Sequence, residues 1–216
     1  MPDRAVVFDL WNTLVRFPDE RSRALRAAWA RRLGVDEERL EELWGRAATY
    51  ERRETGPLRP VLEEVARALG RDGGAVEELL AWRLDLVRNA LRVEPETLSA
   101  LDELRRRGFA LGLVSNCTEE VPLVWPETEL APRFHAAVFS ARAGVLKPDP
   151  RIYRLVCAEL GVEPGACLFV GDGANDELAG AERAGMRPVL LDGAGGEIEW
   201  RGPRISSIPE VLELVE

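Results

Sequence analysis

Lysine, histidine and cysteine are nearly missing from this chain of 216 residues, which holds one, one and three of them. The cysteines, Cys117, Cys157 and Cys167, are odd in number and lack metal-ligand spacing. That excludes a disulfide framework and a thiolate metal centre and leaves reduced cytosolic thiols. His135 is too isolated for a metal site and is expected in a loop or at an interface. No apolar run approaches the roughly 18–20 residues of a membrane span. The chain enters the run Ala5–Phe8 with no basic stretch before it, so no secretory leader is expected, and the cytoplasm is the expected location. Basic residues are outnumbered 29 to 38, a formal charge of −9 that opposes binding to nucleic-acid phosphates.

What remains is globular composition, 46% hydrophobic and 31% charged, with enough apolar material for a real core. Five short apolar runs read as buried parallel strands: Ala5–Phe8, Ala110–Val114, Ala137–Phe139, Cys167–Val170 and Pro188–Leu191. Helical spacing separates most of them. Leu98, Leu101 and Leu104 share one side until Gly108, and Ile152, Leu155, Val156 and Leu160 share one until Gly161. Strands alternating with helices predict an α/β fold, a Rossmann-like parallel sheet covered on both faces. Ile205 to Glu216 reads as a short strand-and-helix tail.

Between Arg16 and Leu91 no strand pattern occurs. Leu25, Ala28, Trp29 and Leu33 form one helical stripe, and Leu40, Leu43, Trp44, Ala47 and Ala48 a second. Leu58, Val61, Leu62, Val65 and Leu69 form a third, and Val76, Leu79, Leu80, Leu84, Val87 and Leu91 a fourth. A helical insert over 16–91 is therefore expected within a core of residues 1–15 and 92–216, with Trp29, Trp44 and Trp82 on or beside its apolar faces. Acidic and basic residues balance within 16–91, so the whole net charge lies in the core.

In open parallel sheets, ligands bind beyond the carboxyl ends of the strands. Asp9 ends the first strand, with Thr13 four residues on; Ser115 and Asn116 end the second. Lys147 follows the third within Gly144-Val145-Leu146-Lys147-Pro148-Asp149-Pro150, and Asp172 and Asp176 follow the fourth within Gly171-Asp172-Gly173-Ala174-Asn175-Asp176. These residues are expected to converge on one site. Lys147 is the only lysine beside 28 arginines. An ammonium is a compact point charge and a guanidinium a planar fork, so a site that needs the former accounts for the exception.

The four motifs, in this order and at this spacing, resemble those of the haloacid dehalogenase-like hydrolase superfamily, over essentially the whole chain. The helical insert resembles that family's cap, a lid that opens to admit substrate and closes to exclude water. The resemblance implies that Asp9 is a nucleophile attacking phosphorus to form an aspartyl-phosphate. It implies Mg²⁺ held by Asp9, Asp172 and the backbone carbonyl of Trp11, with Asp176 bound more distantly or through water. Lys147 would neutralise charge between nucleophile and phosphate, and Ser115 would donate to a phosphoryl oxygen. Thr13 and Asn116 would orient.

One position departs from the pattern. Phosphatases of the family usually carry a second aspartate two residues after the nucleophile, which protonates the departing alkoxide and later activates water. Here that residue is Trp11, whose indole has no proton to shuttle. Trp11 is expected either to pack between core and cap or to touch substrate. An acid from the cap, with Tyr50, Glu51 and Glu54 as candidates, or a substrate with a good leaving group would make up the loss. The family's 2-haloacid dehalogenases also lack this aspartate, but they work without Mg²⁺ and lose the fourth motif's acidic pair, which this chain keeps. Arg16 either meets a substrate carboxylate at the hinge or faces solvent. The expected function is a Mg²⁺-dependent hydrolase of a small, anionic phosphorylated metabolite, acting as monomer or homodimer. A 2-haloacid dehalogenase using Asp9, and a weakly catalytic ligand-binding module, are the alternatives.

Overall fold

The computed structural model describes residues 3–17, 20–71, 73–193 and 198–215; the N-terminal limit of the expected core and Glu216 of the tail lie outside them. Six strands pair in parallel in the order β3-β2-β1-β4-β5-β6: β1 (Ala5–Phe8), β2 (Ala110–Ser115), β3 (Ala136–Phe139), β4 (Cys167–Gly171), β5 (Arg187–Leu191) and β6 (Arg204–Ile205). The α/β fold and each expected strand are present. Ladder partners, rather than apolar runs, set the strand ends: Ser115 joins β2 because Phe139 lies beside it, and Ala136 starts β3 opposite Gly112.

β1 lies inside the sheet between β2 and β4, and its four residues are buried. Side chains alternate across it. Val6 and Phe8 enter one apolar cluster, and Ala5 and Val7 the other. The first cluster is closed by α6 (Pro95–Arg106) and α11 (Val211–Leu214), the second by α9 (Pro150–Leu160) and α10 (Glu177–Ala184). Burial on both faces explains why these strands read as continuous apolar runs.

Five helices follow β1: α1 (Glu20–Leu33), α2 (Glu37–Ala47), α3 (Tyr50–Glu54), α4 (Leu58–Ala68) and α5 (Gly74–Ala90). Four of them meet around an apolar cluster of their own that includes Leu33, Leu43, Leu62, Leu79 and Trp82. Val87 near the end of α5 instead joins the cluster under the sheet. The short α3 has no buried apolar residue, which is why no stripe announces it. Thr49 caps its start by accepting from Arg52 N at 3.3 Å, and Arg53 donates to the carbonyls of Trp44 and Ala48 at the end of α2. Among the described residues no helix is long and apolar enough to cross a membrane.

Candidate active site

The chain leaves β1 into a tight turn. Val15 N donates to Leu10 O at 3.0 Å and Asn12 N to Val15 O at 2.6 Å, with Asn12 left-handed at φ 58°, a conformation asparagine tolerates better than most residues. Among the described residues none donates to the Trp11 carbonyl. Asp9, just before this turn, is pinned to β4 by its own N–H, 2.9 Å from Val170 O. The residue is 4% exposed, and its Oδ2 accepts from Thr13 Oγ1 at 3.1 Å.

The Lys147 ammonium binds the other oxygen of Asp9 and reaches Glu177 Oε2 at 2.5 Å. Asn116 fixes the lysine's backbone from β2: its Nδ2 donates to Lys147 O at 3.1 Å, and its Oδ1 accepts from Lys147 N at 2.8 Å. Next along, α10 passes so close to Pro148 that a Cβ on Gly180 would lie 2.6 Å from its carbonyl oxygen, so only glycine fits. Ser140 Oγ accepts from Cys117 N at 2.9 Å and closes the same loops from beneath.

Asp172, at the end of β4, turns into the site and accepts from Ala174 N at 2.9 Å. Asp9, Asp172 and Glu177, all buried, each present a carboxylate oxygen within 4.8 Å of the others. Asp176 does not share this place. It is exposed, left-handed at φ 54°, and precedes the helix whose first residue, Glu177, turns inward. Glu177 is the acid that sequence reasoning passed over. Its neighbourhood in the motif was visible, but nothing in the residue types distinguishes two adjacent acids.

The electrostatics are those of an undercompensated site. Burial raises the Asp9 carboxyl, Lys147 opposes that shift and Asp172 adds to it. Burial pushes Glu177 up to about 8 against the pull of Lys147. Burial disfavours the Lys147 ammonium, but Asp9 and Glu177 outweigh it and hold the lysine charged. Three carboxyls about one ammonium leave two negative charges without a partner when all are ionised. A set of hard oxygen donors with that surplus suits a divalent cation such as Mg²⁺.

These groups line one end of a cavity of about 290 Å³. Its opposite wall comes from α3 and α5: Tyr50, Glu54, Arg83, Leu86 and Val87. Trp11 and Phe17, rings 5.0 Å apart, close a side. Ser115 is buried behind Asn116, 3.4 Å from its carbonyl oxygen, and does not line the cavity. Exposed Arg16 does not line it either, nor does exposed Glu51. His135 lies apart, accepting from Leu111 N at 3.0 Å. A larger hollow of about 1500 Å³ beside β5 and β6 contains none of the motif residues.

Comparison with known proteins agrees with this architecture. A phosphoserine phosphatase of Thermus thermophilus is 36% identical over 175 residues, 76% of this chain and 67% of that one. Phosphatase MT3486 of Mycobacterium tuberculosis is 33% identical over 217 residues, 97% of this chain and 96% of its own. The crystal structure of a 2-haloacid dehalogenase from Pseudomonas syringae superposes with a TM-score of 0.74 at 25% identity, covering 98% of this chain and 97% of that one. The haloacid dehalogenase-like hydrolase profile matches residues 4–185, and with Asp9, Lys147 and Asp172 gathered at one end of a parallel sheet the chain belongs to that hydrolase family.

Proposed function

We propose that the protein is a Mg²⁺-dependent phosphatase of a small phosphorylated metabolite, working through an aspartyl-phosphate on Asp9. The observation that carries this reading is the buried cluster of Asp9, Asp172 and Glu177 around a single lysine. Asp9, Asp172 and the Trp11 carbonyl would hold the ion, with Glu177 in the role expected of Asp176. Bound there, Mg²⁺ would offset the like charge between the Asp9 carboxylate and a phosphate dianion.

The chain's own residues do the rest. Thr13 aims Asp9 by binding Oδ2. Lys147, held by Asn116, neutralises charge on the nucleophile and on the arriving phosphoryl oxygens. Ser115, buried behind Asn116, supports the loop. The helices α1–α5 act as the cap. They supply the wall that meets the leaving group and exclude water when closed. A cavity of about 290 Å³ suits a small leaving group. The phosphatase names of the relatives at 33% and 36% identity support the reaction class.

The dehalogenase reading draws on Trp11 and on the structural likeness to a 2-haloacid dehalogenase. It leaves the surplus of buried carboxyls unexplained, because attack on a carbon–halogen bond needs no cation beside Asp9. The test is hydrolysis of p-nitrophenyl phosphate with Mg²⁺ or with EDTA, in parallel with halide release from 2-chloropropionate. Activity on the phosphate ester is expected to require Mg²⁺ and to fall roughly 10⁴-fold or more in Asp9→Asn. Halide release that survives EDTA, with no phosphate ester cleaved, would overturn the proposal in favour of the dehalogenase.

A further inference from the structure

Phosphoryl transfer to Asp9 leaves a proton to be supplied to the departing oxygen, and Trp11 cannot supply it. On the core side, Lys147 is committed to Asp9 and Glu177, and both Glu177 oxygens already accept, one from Lys147 and one from Gly173 N at 3.0 Å. Cys117 is held as a neutral thiol, pushed well up by burial and by Glu54 and Glu120. The opposite wall offers two groups, Tyr50 and Glu54, four residues apart on α3 and so on one face of the helix. Tyr50 lies within the fields of Lys147 and Asp9, at the reacting end of the cavity, and Glu54, one turn on, lies within those of Arg83 and Glu120. Both side chains line the cavity. Arg53 ties the helix to the end of α2, donating to the carbonyls of Trp44 and Ala48 and lying 5.8 Å over the Trp44 ring.

We propose that Glu54 is the general acid and base of this hydrolase, acting across the cavity from Asp9. The inference rests on the phosphatase reading above. In the first step an Asp9 oxygen bonds to phosphorus, the bond from phosphorus to the ester oxygen breaks, and Glu54 gives its proton to that oxygen, releasing an alcohol. In the second step water attacks the acyl phosphate, Glu54 takes a proton from it, and the phosphorus–Asp9 bond breaks to return the carboxylate and inorganic phosphate. Both carboxyls end as they began.

Two features suit Glu54 to this work and distinguish it from Tyr50. Among the described residues no hydrogen-bond partner is found for its carboxyl, so it is not spent on structure. Burial and Glu120 push it up to about 7, against the pull of Arg83 and Arg53, which keeps a proton available near neutrality. Glu120, on α7 (Glu120–Val124), is itself buried, bound through Oε1 to Arg83 at 2.5 Å, with Oε2 unpartnered among the described residues. Tyr50, raised by burial and by Glu54 itself, is the weaker acid.

The experiment is kcat/KM for a series of substituted phenyl phosphates, from p-nitrophenyl to unsubstituted phenyl, in wild type, Glu54→Gln, Glu54→Asp and Asp9→Asn with saturating Mg²⁺. kcat/KM reports only the step up to phosphoryl transfer. Glu54→Gln is expected to retain p-nitrophenyl phosphate within about 5-fold and to lose phenyl phosphate by about 10²-fold or more, so that its dependence on leaving-group basicity steepens. With p-nitrophenyl phosphate it should release one equivalent of p-nitrophenol per enzyme before slow turnover, because water then lacks a base. Glu54→Asp should fall between the two in slope. Wild type should lose phenyl phosphate hydrolysis above about pH 7, and Glu54→Gln should not show that limb. An equal loss on every ester, or no loss on any, would overturn the role of Glu54 while leaving Asp9 and Mg²⁺ in place. Full activity of Asp9→Asn on p-nitrophenyl phosphate would instead sink the phosphatase reading itself.

Discussion

The two walls of the cavity are held by different means. On the sheet side each polar group answers another: Asp9 to Thr13 and Lys147, Lys147 to Glu177 and Asn116, and Asp172 to a backbone amide. Backbone ladders set those positions, because four strand ends of a parallel sheet lie along one edge. The helical wall has aromatic and aliphatic side chains, one arginine bound to Glu120, and one unpaired carboxyl. Charge is closed by direct hydrogen bonds on the first wall, whereas on the second Glu120, Arg83 and Arg53 act on Glu54 through space. Removing a group from the first should therefore damage fold and chemistry together, whereas the second should separate them.

Lys147→Met is the strongest way to break that contrast. The side chain is 5% exposed and sits between Asp9 and Glu177. Deleting the ammonium leaves two buried carboxylates facing each other, and breaking a buried ion pair from one side costs about 3–5 kcal/mol. Activity on p-nitrophenyl phosphate is expected to fall at least about 10²-fold, because the developing charge loses its fixed cation. Thermal or urea unfolding in EDTA should show the stability loss. Mg²⁺ should recover part of it by binding the native carboxylates alone. A variant as stable as wild type would mean that the carboxylates are compensated by something other than Lys147.

The helical wall should respond in the opposite sense. Glu54 has an ordinary pKa of 4.5 in the unfolded chain and is held near 7 in the fold. A raised carboxyl favours the protonated native state, so stability declines as pH climbs from 4.5 through 7 and is level beyond. Glu54→Gln removes that decline. Since Glu54 is partly exposed, the gain at about pH 8 should be on the order of 1–2 kcal/mol, vanishing near pH 4.5. Urea titrations at several pH values measure it. If Glu54→Gln unfolds with the same pH dependence as wild type, the carboxyl is not held in its protonated form, and the contrast between the walls fails at its most informative residue.

The first wall was largely legible in the sequence and the second largely was not. Asp9, Lys147 and Asp172 follow apolar runs in a chain with a single lysine, and parallel pairing brings such positions together regardless of what lies between them. The four apolar stripes of the insert also announced their helices. The short α3 did not, because it carries no apolar stripe and is placed by Arg53 reaching back to carbonyls of α2. Ser115 shows a further limit. Its position at the end of β2 was readable, but which way its hydroxyl points is decided by Asn116 and the loop beneath. Between Asp176 and Glu177 the outcome turns on two successive left-handed residues, Asn175 and Asp176, whose conformations no residue pattern specifies uniquely.

That adjacent pair supplies the finest discrimination. Asp176→Asn keeps the left-handed backbone, since asparagine adopts φ near 54° as readily as aspartate, and removes one exposed charge at the start of α10. The loss of a favourable charge near a helix N-terminus should cost no more than about 0.5 kcal/mol. The effect on kcat/KM should stay within about 3-fold, and the Mg²⁺-induced rise in melting temperature should be unchanged. Glu177→Gln, one residue later, removes a charge that Lys147 binds directly, so its Mg²⁺ response should weaken and its activity fall by a larger factor. If Asp176→Asn instead abolished the Mg²⁺ response, the loop after β4 would have to turn that carboxylate inward when metal binds, and the first wall would be assembled by its ion rather than held ready for it.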